Sequence, residues 1–519
     1  MKAFKYIFLL IGLSIIGCSD LEEEPIGLLA PDGFFQTTND IQTAVEGAKT
    51  HAINEKFWGR KLSIALMLRS DMVNLQSSQT RRVEHDMLTT LTDNGMISEF
   101  WLKTYQGIAA ANLAIEGAAK VAVDEDVKNP VVAQAYFIRA FYYFHLVRQF
   151  GAVPYLGASV TDAEASSAIS RTPAAEVYAN IISDLTFAKQ WLPNTQPSAG
   201  IPSKAAASSY LALVYLTMAG TDDKAMFQKA YDEAVEVITT PAYQLDLDSN
   251  FQNLFNAEVI DGSPEPIFAL DYNNVEASNN AYDQIAPMTG IRNDQRNEGG
   301  GWSVAVPTEA VYASFDQNDY RTKVSFDEEA YIANKAGVVA FQTYDNFTYS
   351  EHQDARNTPY IAKYSRYPGE FARGSGRATS HNYSMIRFAE VLLIAAEAGV
   401  EVGQTGPALT YLNRVRARAR QGGAYKTGAD REMVFAPSAV PADLTSITVE
   451  DVLEERRVEL AFECKRWYDI VRRKMGDEVF GPAGYEGAKP NFTADDYLMP
   501  LPGDELERNP NLQPNNPGY

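Results

Sequence analysis

From Ala133 to Gln149, apolar side chains fall at Ala133, Phe137, Ala140, Phe141, Phe144 and Val147. That spacing keeps one face of a helical period and predicts a helix. Gly151 and Pro154 end it. A second helix is predicted from Ser203, a capping residue behind Pro202, through a dense run of Ala, Tyr and Leu to Gly220. Ala230 to Thr239 follows as its hairpin partner, and Ile386–Val402 with Pro407–Arg420 repeats the arrangement across Gly403 and Gly406. Stacked hairpins of this kind are tetratricopeptide-like, although no strict repeat register is legible.

Between Asn250 and His381 the pattern changes to Asn, Gly, Pro and Tyr, with short β-favouring pieces at Pro266–Leu270 and Val338–Phe341. Long loops in a compact protein usually carry function. A further helix is predicted over Val449–Arg473, with the stripe Leu453, Leu460, Cys464, Trp467 and Val471. On it, Glu455, Arg456 and Glu459 have the spacing of a salt-bridged helix face. The proline-rich tail from Tyr497 to Tyr519 should lie extended over the body. The fold class is therefore mostly α: helical hairpins forming a scaffold, with a loop-rich, β-poor region for ligand.

The N-terminus reads as an address. Lys2 and Lys5 precede an apolar run, Tyr6 to Ile16, that is too short to span a bilayer but fits a secretory signal. The run ends at Gly17-Cys18, which resembles the lipobox of bacterial lipoproteins, with Cys18 as the lipid anchor. Residues 1–17 are then a signal peptide, 18–30 a lipidated tether and 31–519 one domain, with a helical scaffold half at 31–240 and a loop-rich half at 250–519. Two or three acyl chains hold a protein on a membrane stably. With Cys18 lipidated, Cys464 is the remaining thiol of two, and it reads as buried and inert.

Charge narrows the partners. Acids number 67 and bases 45, a net charge of −22, which disfavours nucleic acid and anionic lipid surfaces. The 28 Tyr and 25 Phe against 5 His favour packing and stacking over imidazole chemistry. Catalytic signatures fail on inspection: Gly374-Ser375-Gly376 lacks the outer glycines of a nucleophile elbow, and no His-Glu-x-x-His occurs. Asp246-x-Asp248-x-Asn250 starts like a calcium loop but has Phe251 and Ala257 where Gly and Glu are required. Gly299-Gly300-Gly301 is followed by Trp302, which is no phosphate loop. The sequence thus indicates no enzyme, no cofactor, no metal and no catalytic residue.

Several segments resemble the SusD-like (RagB/SusD) family of outer-membrane nutrient-binding lipoproteins. They are AYFIRAFYYFHLVRQFGAVPYL at 135–156, PSKAAASSYLALVYLTMAG at 202–220, RFAEVLLIAAEA to ALTYLNRVRAR over 387–418, EERRVELAFECKRWYDIVRR at 454–473, and the tail from 497. The resemblance implies a cell-surface, lipid-anchored protein of the outer membrane. It would capture oligo- or polysaccharide and deliver it to a TonB-dependent SusC-like transporter for nutrient uptake. Alternatives are a peptide-binding member of the same family, a glycoside hydrolase on a helical fold, or a helical adaptor with no small ligand.

Sugar recognition needs a flat aromatic face for the ring and planar polar groups for its hydroxyls. The loop stretches supply both. Residues 70–82, read as a solvated loop, offer Asp71, Asn74 and Arg81; residues 272–302 offer Tyr272, Asn273, Tyr282, Arg292 and Trp302. Trp302 follows three glycines, where a rigid ring on a pliable backbone has little reason to be core. Trp101, Trp191 and Trp467 read as packing, and Trp58 as either. The acidic surface points to a neutral glycan.

Overall fold

The computed structural model describes residues 31–76, 80–160, 168–272, 283–292, 294–295, 301–333, 337–347, 358–369, 379–482, 484 and 489–519. Cys18 and the tether lie outside them. The longer helices of the first half are α1 (Thr38–Ala52), α2 (Lys61–Leu68), α3 (Thr80–Asp86), α4 (Gly95–Lys120), α5 (Glu125–Phe150), α6 (Ala174–Trp191), α7 (Lys204–Ala219) and α8 (Lys224–Thr239). After the irregular middle come α9 (Phe388–Glu401), α10 (Thr405–Arg420), α11 (Val449–Glu459) and α12 (Arg466–Arg473).

Each helix from α4 to α10 packs on the next, so the stack continues from α8 directly to α9 although the middle segment separates them in sequence. The expected tetratricopeptide-like scaffold is thus one continuous stack of hairpins. Its ends are chemically set: Ser203 Oγ accepts from the Ala206 amide at 3.2 Å, and Gly151 stops α5 with φ +68°. Close helix approach also needs glycine. A Cβ on Gly107 would fall 2.4 Å from the ring of Tyr142, whose hydroxyl donates to the Ala48 carbonyl at 2.7 Å and so knits α1, α4 and α5 together.

The strands are short: β1 (Asn74–Leu75), β2 (Pro266–Leu270), β3 (Ala305–Val306), β4 (Phe326–Asp327), β5 (Glu329–Ala333), β6 (Val339–Thr343), β7 (Tyr360–Ile361), β8 (Tyr383–Arg387), β9 (Gly423–Lys426) and β10 (Glu432–Phe435). They join in antiparallel pairs β1–β3, β2–β8, β4–β7, β5–β6 and β9–β10. A single main core runs from Ala48 to Leu512. The residues before and after the turn at 240–250 therefore share it.

Three expectations change. In α5 the predicted apolar face is present, but Arg139, Tyr142, Tyr143, His145 and Gln149 are buried too, because neighbours enclose the helix all round. The predicted helix over Val449–Arg473 is two helices: α11 ends at Glu459, and Phe462 and Cys464 take φ +63° and +58° before α12 begins. Cys464 therefore sits in a turn, where burial pushes its thiol up to about 12. Finally, the tail is extended but includes a helix at Gly503–Arg508. It is tied down where the Met499 amide donates to Gln149 O at 2.7 Å and Asn516 Nδ2 donates to Phe150 O at 2.9 Å.

The acids of α11 do not line a solvated face. Glu455 and Glu459 are buried against Arg321, and Glu459 also meets Arg387 and Arg418. Arg456 pairs with Asp469 and Glu390. Lys363 and Arg387 both bind Glu463, and Arg387 and Arg418 share Glu265. The partners come from distant segments, which spacing on one helix cannot reveal.

Candidate functional site

The first polar stretch singled out in the sequence pairs with the segment that directly follows the second. Strand β1 pairs with β3, Asn74 opposite Val306 and Leu75 opposite Ala305, and the Gln76 amide donates to Val304 O at 2.9 Å. The segment leading into β3 is crossed over residues 287–292. The Gly301 amide donates to Ile291 O at 2.7 Å, Trp302 N to Pro287 O at 2.6 Å and Ser303 N to Gly290 O at 3.1 Å. The Arg292 amide donates to Ser303 Oγ at 2.8 Å. At the crossing a Cβ on Gly301 would lie 2.0 Å from Gly290 O, so only glycine fits.

This crossing continues into the β5–β6 hairpin through the Asp294–Ile332 bridge and a bond from Gln295 N to Tyr331 O at 2.9 Å. There Tyr331 and Phe341 stand directly opposite each other, ring centroids 5.8 Å apart at 65°. They are 41% and 47% exposed, while Ala330 and Ile332 on the other face are buried. Arg431 lies 5.5 Å from the Phe341 ring centre and is ion-paired with Glu329. An open aromatic pair beside a guanidinium–carboxylate pair is the combination that a pyranose ring requires. Sequence reasoning missed Tyr331 and Phe341. The alternation Ala330-Tyr331-Ile332 is their signal, but it does not say which face meets solvent.

Of the predicted residues, Arg292 is exposed on the crossing, Asn74 is half-buried in β1, and Arg81 is exposed on α3. Trp302 is half-buried, its ring against the edge of the main core. Two placements are corrections. Asp71 is fully buried and held by Arg466 through bonds of 2.8 and 2.7 Å, so its carboxylate is closed to ligand. Tyr272 is 3% exposed and packs in the core. Nor are residues 70–82 a solvated loop: Ser70 to Val73 are buried, followed by β1 and α3. Trp58, Trp101 and Trp467 are core, and Trp191 packs against it. Asn273 and Tyr282 lie outside the described residues.

Similarity to known proteins follows the same geometry. Residues 264–519 match the sequence model of the SusD family, and residues 31–216 match one described as starch-binding and associating with the outer membrane. SusD-like protein P2 of Formosa agariphila is 48% identical over the full length of both chains. The chain belongs to the SusD family. Among solved structures, a SusD homolog from Bacteroides thetaiotaomicron superposes with a TM-score of 0.77 at 19% identity, covering 94% of this chain and 98% of its own. A laminarin-binding SusD-like protein gives 0.74 at 21%, covering 93% and 100%. These likenesses show the helical fold.

In this SusD-family chain residues that flank segments 273–282 and 370–378 are bonded to one another. Tyr272 precedes segment 273–282 and Asp283 follows it; Thr379 follows segment 370–378. Asp283 is fully buried and accepts from Ile285 N at 2.8 Å and Thr379 Oγ1 at 3.0 Å, while Thr379 N donates to Asp283 O at 2.8 Å. Burial raises its carboxyl to about 7, despite those two bonds. Between the ordinary Asp value near ~4 and 7, the folded protein thus keeps a proton that the unfolded chain releases, and stability falls as pH rises through that window. Asp283→Asn is expected to flatten this fall by up to about 4 kcal/mol. Urea midpoints at pH 5 and pH 8 check it; an unchanged pH dependence would refute it.

Among the described histidines, His85, His145 and His381 are buried. Burial drives their imidazoles down, His85 to about 3 and His381 to about 4. His145 is enclosed by Phe57, Trp58, Phe141 and Tyr468, so it serves as packing.

Proposed function

We propose that this SusD-family protein is a cell-surface, lipid-anchored glycan-binding protein. It captures neutral oligo- or polysaccharide at the outer membrane and passes it to a SusC-like TonB-dependent transporter. The observation that carries the reading is the exposed Tyr331–Phe341 pair, with Arg431 and Glu329 beside it to supply polar contacts. The outer-membrane and starch-binding description of the matching family model supports it. So does the laminarin-binding name of a structural neighbour. Gly17-Cys18 supplies the anchor. A net charge of −22 works against polyanionic glycans at long range, although salt limits that reach to about 8 Å.

Native affinity electrophoresis of the chain from Ser19, through gels holding single polysaccharides such as laminarin or starch, tests this. Retardation by a neutral glycan is expected. Tyr331→Ala combined with Phe341→Ala should weaken it at least tenfold, about 1.4 kcal/mol. Retardation by no glycan, or displacement by a peptide digest and not by oligosaccharide, would overturn the assignment.

A further inference from the structure

A separate cleft of about 180 Å³ opens between the α6–α7 connection, the turn after α8 and the end of β2. It shares no residue with the Tyr331–Phe341 face. Ile201, Leu245 and Ile260 form an apolar wall, and Gln196, Asp261, Asp271 and Asn382 belong to its polar side. Among the described residues that line it there is no lysine or arginine.

The polar side is organised by contacts of its own. Asn382 Oδ1 accepts from the Tyr272 amide at 2.7 Å while its Nδ2 donates to Asp261 Oδ1 at 2.9 Å, which fixes both the amide and the carboxylate. The connection opposite is pinned where Ala269 N donates to Ala199 O at 2.9 Å, Gln196 Nε2 to Pro202 O at 2.9 Å and Lys204 N to Pro193 O at 2.8 Å. Asp271, exposed like Asp261, takes a hydrogen bond from the Ser198 hydroxyl and lies close over Gly200, where a Cβ would fall 1.8 Å from its Oδ2. Desolvation raises the Asp271 carboxyl above its usual range, and Asp261 and Glu46 add to the rise against the opposing pull of Lys49.

Two carboxylates with lone pairs left to fill, in a cleft whose described lining holds no lysine or arginine, call for a ligand rich in hydroxyl donors. Anionic ligands are repelled. The apolar wall suits the C–H face of such a ligand, and a cleft of about 180 Å³ has room for a single sugar ring. The geometry points to a second binding site, in which Asp261 and Asp271 accept hydroxyls of one neutral pyranose unit while Ile201 and Leu245 cover its apolar face. This site does not depend on the capture face.

Saturation-transfer NMR on the full chain from Ser19 tests it, with D-glucose, D-galactose, D-mannose, L-fucose and glycerol as probes. At least one monosaccharide is expected to show saturable transfer at millimolar concentration. Gly200→Ala, which displaces the Asp271 carboxylate without removing it, and Asp271→Asn, which keeps its shape, should each weaken that binding at least tenfold. Tyr331→Ala with Phe341→Ala should leave it unchanged, which separates this site from the proposed capture face. Melting temperatures confirm folding, and Asp271→Asn alone decides if Gly200→Ala fails to fold. No transfer from any probe, or transfer that survives Asp271→Asn, overturns the proposal, as does loss only in the aromatic double variant.

Discussion

Arg387→Met should destabilise the protein by about 3–5 kcal/mol, the cost of breaking a buried charge pair and leaving its partners uncompensated. Arg387 ends β8 and is almost wholly buried. Its Nη1 donates to Glu265 at 2.7 Å and Glu459 at 2.6 Å, its Nε and Nη2 to Glu463 at 2.9 Å each, and Nη2 also to the Glu459 carbonyl at 2.9 Å. Arg321 and Arg418 bind the second oxygens of Glu459 and Glu265, while Lys363 and Arg418 share Glu463 Oε1 and Glu459 Oε1 with Arg387; none can move into the gap, since each already has fixed partners. Arg387→Lys keeps the charge and loses the planar fork, so an intermediate loss is expected. Urea unfolding at pH 7 measures both, and an unchanged Arg387→Met midpoint would refute the argument. The surrounding cations hold Glu459 and Glu463 below the usual carboxylate range. Their contribution is present above about pH 4.3, the unfolded value, and is lost only as pH falls below it.

The second large effect is Gly301→Ala, a single added methyl at the crossing that carries the candidate face. Its Cβ would meet Gly290 O at 2.0 Å and Gly290 Cα at 2.6 Å. Both are backbone atoms, which no rotamer change can move aside. Relief requires the strands to part, which loosens the bonds from Gly301 N, Trp302 N and Ser303 N, each worth about 1 kcal/mol. Trp302 and Arg292 then lose their common frame. Glycan affinity is expected to drop at least tenfold, and the melting temperature to fall as well, because Met288, Val304 and Ala305 beside the crossing belong to the main core. Isothermal titration beside thermal unfolding reads both. Full affinity in Gly301→Ala would show that the crossing does not position the ligand face.

Much of the scaffold is legible in sequence because its determinants are local. Ser203 caps, Gly151 stops, and the 3.6-residue rhythm places α7, α9 and α10 within a few residues of where they lie and the end of α5 equally well, although α5 begins eight residues earlier than expected, at Glu125. The strand Pro266–Leu270 is equally plain. The break between α11 and α12 is not, because the turn at Phe462–Cys464 buries its side chains and so leaves the apolar stripe unbroken across two helices. Buried ion pairs are hidden for another reason: Arg321 and Glu455 stand 134 residues apart, and only the tertiary fold joins them. Around the candidate face, the polar character of 70–82 and 272–302 was readable, but the pairing of β1 with β3, just beyond the second stretch, was not. Asp71 has the composition of a ligand residue and the burial of a structural one, because Arg466 arrives from 395 residues away.

Tyr272, Asp283 and Thr379 bear on where the sequence can vary. Asn382 grips the first through its backbone, and Asp283 and Thr379 grip each other. None of these bonds uses a side chain from 273–282 or 370–378. Side-chain changes within those two segments therefore leave these boundary bonds intact, so sequence can vary there without cost to them.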